Sequence, residues 1–156
     1  MTMRKLILAA AFTLTALPAW AGDDWMPPVT DAVVKKECGS CHMAFQPGFL
    51  PARSWNKLMD GLADHFGEDA SLPADKAAAI RAYLVNNAGD VVGQGRARKA
   101  MGRLSPADIP LRITETPDFQ RKHHLPDWRW KDPKVVTKSN CPACHMAAER
   151  GLYEDD

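Results

Sequence analysis

All four cysteines of the chain lie in two copies of one short pattern. The first copy reads ECGSCHMAF at residues 37–45, and the second reads NCPACHMAA at residues 140–148. In each Cys-x-x-Cys-His copy, two thiols one helical turn apart can form thioethers to a porphyrin, and the next histidine can bind its iron. The spacing therefore predicts two covalent c-type haems, one held by Cys38, Cys41 and His42, the other by Cys141, Cys144 and His145.

Three other uses of paired cysteines fit this sequence less well. A disulfide within either pair would close a loop too short to contribute much stability. The two pairs lie about a hundred residues apart, far beyond the usual spacing of a zinc ribbon. A thioredoxin-like redox pair would need a βαβ pattern that the sequence does not show. Covalent haem attachment is preferred because it also explains the two histidines.

Each iron also needs a ligand on its far side, and for the first haem the candidate is His65. It stands near the end of SWNKLMDGLADHFG, which predicts a helix capped by Ser54 and ended by Gly67. His65 falls on the apolar stripe of that helix, which consists of Trp55, Leu58, Leu62 and Phe66. Met59 lies on the opposite edge of the stripe and is the alternative ligand, which would give His/Met ligation.

For the second haem the candidates are His123 and His124, in the stretch TETPDFQRKHHLPDW. Thr116 is suited to cap a helix there, and Pro117 is suited to its first position. His123 shares a helix face with Phe119, four residues earlier, whereas His124 lies on a more polar face. We therefore predict that His123 is the ligand, with His124 as the alternative.

The remaining sequence predicts an all-α fold, because apolar residues recur at helical spacing and no alternating run indicates a sheet. We expect two small cytochrome c-like haem lobes, with short helices and long loops around the haems. The N-terminal lobe would span residues 22–89 and the C-terminal lobe residues 105–156. Residues 90–104, rich in glycine and basic side chains, predict a solvated linker rather than a docking patch. Trp128 and Trp130 either cover haem edges or pack as ordinary aromatic residues.

Residues 1–21 have the pattern of a cleaved signal peptide, so we expect a periplasmic protein. Arg4 and Lys5 precede an apolar run at residues 6–17, and Ala-Trp-Ala at 19–21 suits cleavage. Loss of this segment lowers the Lys and Arg count from 20 to 18 against 19 Asp and Glu, a formal charge of −1. That balance lacks the basic excess expected of a nucleic-acid-binding protein.

Three stretches together resemble the dihaem cytochrome c family over essentially the whole chain after the signal peptide. They read SWNKLMDGLADHFGEDASL, TETPDFQRKHH and KSNCPACHMAAERGLYED. The resemblance implies a periplasmic electron carrier with two bis-histidine haems, whose distal ligands match His65 and His123. It also implies an oxygen-binding monohaem cytochrome c as acceptor and a membrane cytochrome b as possible donor, with no small-molecule substrate.

The expected activity is outer-sphere electron transfer rather than catalysis at an iron. One alternative is a small haem enzyme with an open iron site, of the peroxidase or nitrogen-oxide reductase type. Another is the small dihaem subunit of a periplasmic nitrate reductase. The enzyme alternative is disfavoured because neither motif is accompanied by an obvious acid–base pair.

Overall fold

The computed structural model describes residues 25–153, so the predicted signal peptide lies outside the described residues. Within this range the chain forms seven α-helices and five short 3-10 turns, with isolated β-bridges but no strand. The helices are α1 (Ala32–Cys38), α2 (Ala52–Asp60), α3 (Ala74–Asn86), α4 (Gly89–Val92), α5 (Gly95–Met101), α6 (Pro117–Lys122) and α7 (Asp127–Trp130). The predicted all-α fold is confirmed. None of the described helices has the length and apolar character needed to cross a bilayer.

Side-chain caps fix the starts of the two helices that lead into predicted ligand positions. Asp31 accepts hydrogen bonds from the backbone N–H groups of Val33 and Val34 and so begins α1. The Thr116 hydroxyl accepts from the Phe119 N–H, and Pro117 occupies the first position of α6, as predicted.

Helix α2 begins and ends earlier in the chain than predicted. It begins after Pro51 rather than at Ser54, whose buried hydroxyl has no hydrogen-bond partner among the described residues. It ends at Gly61 instead of continuing to Gly67, and a 3-10 turn at Leu62–Asp64 follows. His65 therefore lies in a turn after the helix, and the predicted apolar stripe does not extend to it.

The segment predicted to be a solvated linker at 90–104 contains most of α4 and all of α5. The prediction was wrong here because α5 has a buried face, with Ala97 and Ala100 small enough for close packing. Arg96 on that face is only 7% exposed, and its guanidinium pairs with Asp118 of α6. The division of the chain into two lobes stays a prediction.

The apolar core lies almost entirely in the first two-thirds of the chain. The main cluster, with α2 packed against α3, comprises Val29, Val34, Leu50, Trp55, Met59, Ile80, Leu84 and Ala88. Met26, Phe49 and Ala97 form a second cluster. Between residues 105 and 153, by contrast, the buried apolar side chains are Val135 and Ala148. The C-terminal third therefore has little core of its own with which to offset the entropy of folding.

The two ends of the described chain meet at Gly151. Its carbonyl accepts a hydrogen bond of 2.8 Å from the Met26 N–H, and Trp25 and Leu152 form an isolated antiparallel bridge. Gly151 has a φ of 80°, and a Cβ at this position would overlap the Met26 carbonyl oxygen. Only glycine satisfies both the left-handed backbone and the close approach.

We expect Gly151→Ala to lower the stability of the haem-loaded protein by about 2 kcal/mol or more, because the Cβ forces the two segments apart. Thermal unfolding measures the change. Gly93→Ala is the matched control, since Gly93 also has a positive φ but open space around its Cβ position. The control should lose only about 1 kcal/mol. Equal losses in the two variants would show that the contact with Met26 contributes nothing.

Candidate functional site

The structure brings the imidazole rings of His42 and His65 close together, although they come from separate turns. Their ring centroids lie 6.3 Å apart and their planes are inclined by 27°. His42 follows the last turn of α1, and its Nδ1 lies 2.7 Å from the Met43 carbonyl oxygen. Since a carbonyl can only accept a hydrogen bond, Nδ1 carries the proton and Nε2 keeps its lone pair. His42 is thus prepared to act as a metal ligand.

A tight turn holds His65 opposite His42. The backbones of His65 and Glu68 exchange two hydrogen bonds, and the Asp64 carboxylate accepts one from the Gly67 N–H. Burial, followed by the neighbouring His42 and Arg112, lowers the pKa of His65. These effects favour the neutral imidazole, which is the form that binds metals. Met59, the alternative ligand, is buried in the main core cluster.

Aromatic rings enclose this first histidine pair. Phe45 stacks on His42 with a centroid distance of 4.8 Å, and Phe66 lies 4.7 Å from His65. Phe66 is exposed, with a left-handed φ of 61°, and the Arg112 guanidinium lies 3.8 Å from its ring centroid. The sequence had placed Phe66 on a buried stripe; because α2 ends at Gly61, it instead lies at the rim of the histidine pair.

A second facing pair is formed by His123 and His145. Their ring centroids are 6.1 Å apart and their planes are nearly perpendicular, at 83°. His123 ends α6, where its Nδ1 lies 3.0 Å from the Phe119 carbonyl oxygen and its ring stacks on Phe119 at 3.9 Å. The same hydrogen-bond argument leaves Nε2 of His123 with its lone pair. His124 is exposed, so the structure places His123 opposite His145.

The four cysteines accompany the two histidine pairs as free thiols. In each motif the first cysteine is partly buried, Cys38 and Cys141, while the second is exposed, Cys41 and Cys144. Burial raises the pKa of the Cys38 thiol, and it raises that of Cys141 to about 11. Both groups are therefore neutral thiols near pH 7. Neither Cys-x-x-Cys pair forms a disulfide.

This donor set fits a covalently attached iron porphyrin. A metal–imidazole bond is about 2 Å long, so two rings on opposite sides of one ion have centroids roughly 6 Å apart. Both pairs satisfy that separation. Within residues 25–153 no group of three or more His, Cys, Asp and Glu side chains is placed to hold a bare metal ion. Each pair could therefore supply two axial ligands, with the remaining ligands coming from a porphyrin.

Buried polar contacts join the two histidine pairs, a feature that the sequence analysis missed. Gln46 is fully buried; its amide nitrogen donates to the Ala148 carbonyl, and its amide oxygen accepts from the Tyr153 hydroxyl at 2.5 Å. Tyr153 contacts His145 at 5.6 Å between ring centroids, while Phe45, next to Gln46, stacks on His42. Burial raises the pKa of Tyr153, so the phenol stays protonated and can donate.

A buried carboxylate fixes α6, the helix that ends at His123. Asp118 is only 2% exposed, and its two oxygens receive the guanidinium groups of Arg96, Arg103 and Arg121 at 2.7, 3.4 and 3.2 Å. The sequence did not predict this group of charges. Its pairing with Arg96 connects α5 to α6, so the ion pair positions His123 from outside its own segment.

Comparison with known proteins places these features in a family context. Residues 34–153 match the family model described as dihaem cytochrome c. The chain is similar to a structure titled diheme cytochrome c from Rhodobacter sphaeroides, with 47% identity, a TM-score of 0.74, and coverage of 81% of this chain and 99% of that one. It is also similar to the diheme cytochrome type c from Shewanella baltica, with 36% identity, a TM-score of 0.63, and coverage of 79% and 86%. A search of curated protein sequences found no match.

We expect Tyr153→Phe to destabilise the haem-loaded protein by about 1–3 kcal/mol, because it leaves the buried Gln46 amide oxygen without its donor. The ring and its contacts with His145 are kept. Tyr83→Phe is the control, since the Tyr83 hydroxyl makes its hydrogen bonds to Thr30 at an exposed site. Denaturant unfolding of both variants measures the difference, and a Tyr153→Phe protein as stable as the control would contradict the importance of this contact.

Proposed function

The chain belongs to the dihaem cytochrome c family, and from that membership we propose that it carries electrons between redox proteins through two bis-histidine haems. Two c-type haems with their irons follow from the family. The assignment of individual ligands, the partners and the location in the cell are parts of the proposal. The observation that carries it is the pair of facing imidazoles, 6.3 Å apart at one site and 6.1 Å at the other.

In this proposal each haem is held by three residues of a Cys-x-x-Cys-His motif and by one distant histidine. The first haem is attached to Cys38 and Cys41 and bound by His42 and His65. The second is attached to Cys141 and Cys144 and bound by His145 and His123. Support comes from the free thiols and from the carbonyl contacts that leave a lone pair on Nε2 of His42 and His123.

The protein's part in electron transfer is to hold the ligands still. The haems, when bound, supply one-electron couples at iron whose potentials depend on the axial ligands and their surroundings. The turn at Glu68 holds His65, and the Phe119 carbonyl and the Asp118 ion pairs hold His123. With an imidazole on each side, neither site leaves a position for a substrate. We therefore propose outer-sphere transfer rather than an enzymatic reaction at iron.

The cellular setting is also proposed, on the strength of the sequence. The signal-peptide pattern of residues 1–21 supports export to the periplasm. A monohaem c-type cytochrome as acceptor and a membrane cytochrome b as donor are the partners that the family resemblance suggests. Such redox contacts are small and transient, and local charges steer them more than net charge does.

Removing a distal histidine should open the iron it binds. We expect His65→Ala and His123→Ala each to convert one haem from low spin to high spin and to let the reduced protein bind carbon monoxide. Electron paramagnetic resonance and visible spectra of the purified protein measure both effects.

The neighbouring residues provide matched controls for that experiment. His124→Ala and Met59→Leu should leave both haems low spin, because His124 is exposed and Met59 is buried in the main core cluster. A high-spin iron in the unmodified protein would contradict bis-histidine ligation and would favour the enzyme alternative. A high-spin signal in His124→Ala alone would reassign the second ligand.

Loss of the second haem should unfold the C-terminal third of the chain. We expect Cys141→Ser with Cys144→Ser to retain one haem per polypeptide and to show fast amide hydrogen exchange over residues 105–153, since few apolar side chains are buried there. Cys38→Ser with Cys41→Ser is the comparison: the core between α2 and α3 should keep protected amides. Native-like protection of residues 105–153 without its haem would contradict this account.

A further inference from the structure

We propose that residues 127–138, which comprise α7 and the loop after it, form a docking surface for a redox protein with an acidic face. The proposal rests on the electron-carrier function and adds the place of contact and the charge of the partner. We call residues 127–138 the basic surface. Three observations support it: its uncompensated positive charge, its exposed apolar side chains, and its contact with the second histidine pair.

The basic surface carries a net positive charge, and its cations form no ion pairs among residues 25–153. Residues 127–138 contain four Lys and Arg against two Asp. Four exposed cations belong to the basic surface, and none forms an ion pair with any residue in the described part of the chain: Arg129, Lys131, Lys134 and Lys138. A group of unpaired cations on a protein surface attracts a partner whose contact surface is acidic.

Large apolar side chains lie exposed among these cations. Trp128 is 66% exposed, and the Arg129 guanidinium lies 5.4 Å from its ring centroid. Val136 is 78% exposed and has a φ of 61°, a strained backbone for a β-branched residue. Tryptophan and arginine are the residue types that most often carry the binding energy of a protein interface. An exposed tryptophan surrounded by cations therefore fits a protein partner with carboxylates around an apolar centre.

Trp130 connects the basic surface to the second histidine pair. Its ring centroid lies 6.2 Å from that of His123 and 6.4 Å from that of Phe119. On the surface side, the Lys138 ammonium lies 5.3 Å from the same centroid. Trp128 precedes Trp130 by two helical positions, about 200° around the helix, so one ring faces His123 while the other faces outward. Only the Trp130 ring would then separate a partner bound at Lys138 from His123, the proposed iron ligand.

The test compares charge-reversal variants of the haem-loaded protein, with oxidised plastocyanin as the acidic probe. The first variant carries Arg129→Glu, Lys134→Glu and Lys138→Glu. The matched control carries the same charge change at three exposed lysines near the first histidine pair: Lys35→Glu, Lys36→Glu and Lys57→Glu. Stopped-flow oxidation of the reduced protein gives the bimolecular rate constant at several salt concentrations, and calorimetry gives the affinity.

We expect the first variant to bind plastocyanin more weakly and to transfer electrons about tenfold more slowly at low salt, with most of the salt dependence lost. The control should stay close to the unmodified protein. Trp128→Ala should weaken binding while leaving the salt dependence in place. Mitochondrial cytochrome c, a basic probe, should instead react faster with the first variant.

Three results would overturn the proposal. Equal slowing by both charge-reversal variants would show that net charge, not this surface, governs docking. Unchanged binding in the first variant would remove the surface from the interface. If the variant shifted the potential of the second haem without changing binding, the cations would act on the carboxylates of that haem and not on a partner protein. Failure of the electron-carrier function is distinguished separately, because the unmodified protein would then show a high-spin iron by electron paramagnetic resonance.

Discussion

The hydrogen bonds of Gln46 are the constraint on which the arrangement of the two sites depends. This fully buried side chain reaches Ala148 and Tyr153, more than a hundred residues away in sequence, and so fixes the C-terminal segment against the first core. A buried amide left without partners would cost several kcal/mol, so the contact tolerates little displacement. Together with the Arg96–Asp118 ion pair and the Met26–Gly151 hydrogen bond, this polar side chain holds the two sites together.

Stability is distributed unevenly between the two halves of the chain. The first histidine pair lies beside a core of conventional helices, whereas the second lies among short turns, with Asp118 and its three arginines as the main buried interaction. Buried ion pairs contribute less to stability than to positioning. A porphyrin adds a large apolar surface to a segment that buries few side chains of its own, so the second site relies on its haem for order as well as for chemistry.

The sequence predicted the local features and missed those decided by distant contacts. Three predicted features depend on residues only a few positions apart: the Cys-x-x-Cys-His motifs, the Thr116 cap and the pairing of His123 with Phe119. Sequence pattern is sufficient to predict such features. Gly61 ended α2 early although the apolar spacing continued past it, because a glycine costs helix stability that periodicity does not count. The burial of Arg96 depends on Asp118, 22 residues later, and the order of Tyr153 depends on Gln46. The residues next to Arg96 and Tyr153 in the sequence do not indicate that Asp118 and Gln46 are their partners.

The 107-residue separation between Gln46 and Tyr153 has a consequence for biogenesis. A polypeptide is made from its amino terminus, so α1 to α3 and the first histidine pair emerge while the second motif is still unmade. The first half can then assemble alone, since every residue of its main core cluster precedes Gly89. The contact between Gln46 and Tyr153 forms only after residue 153 has been made, so a chain that stops before Tyr153 would leave the buried Gln46 amide oxygen without its donor.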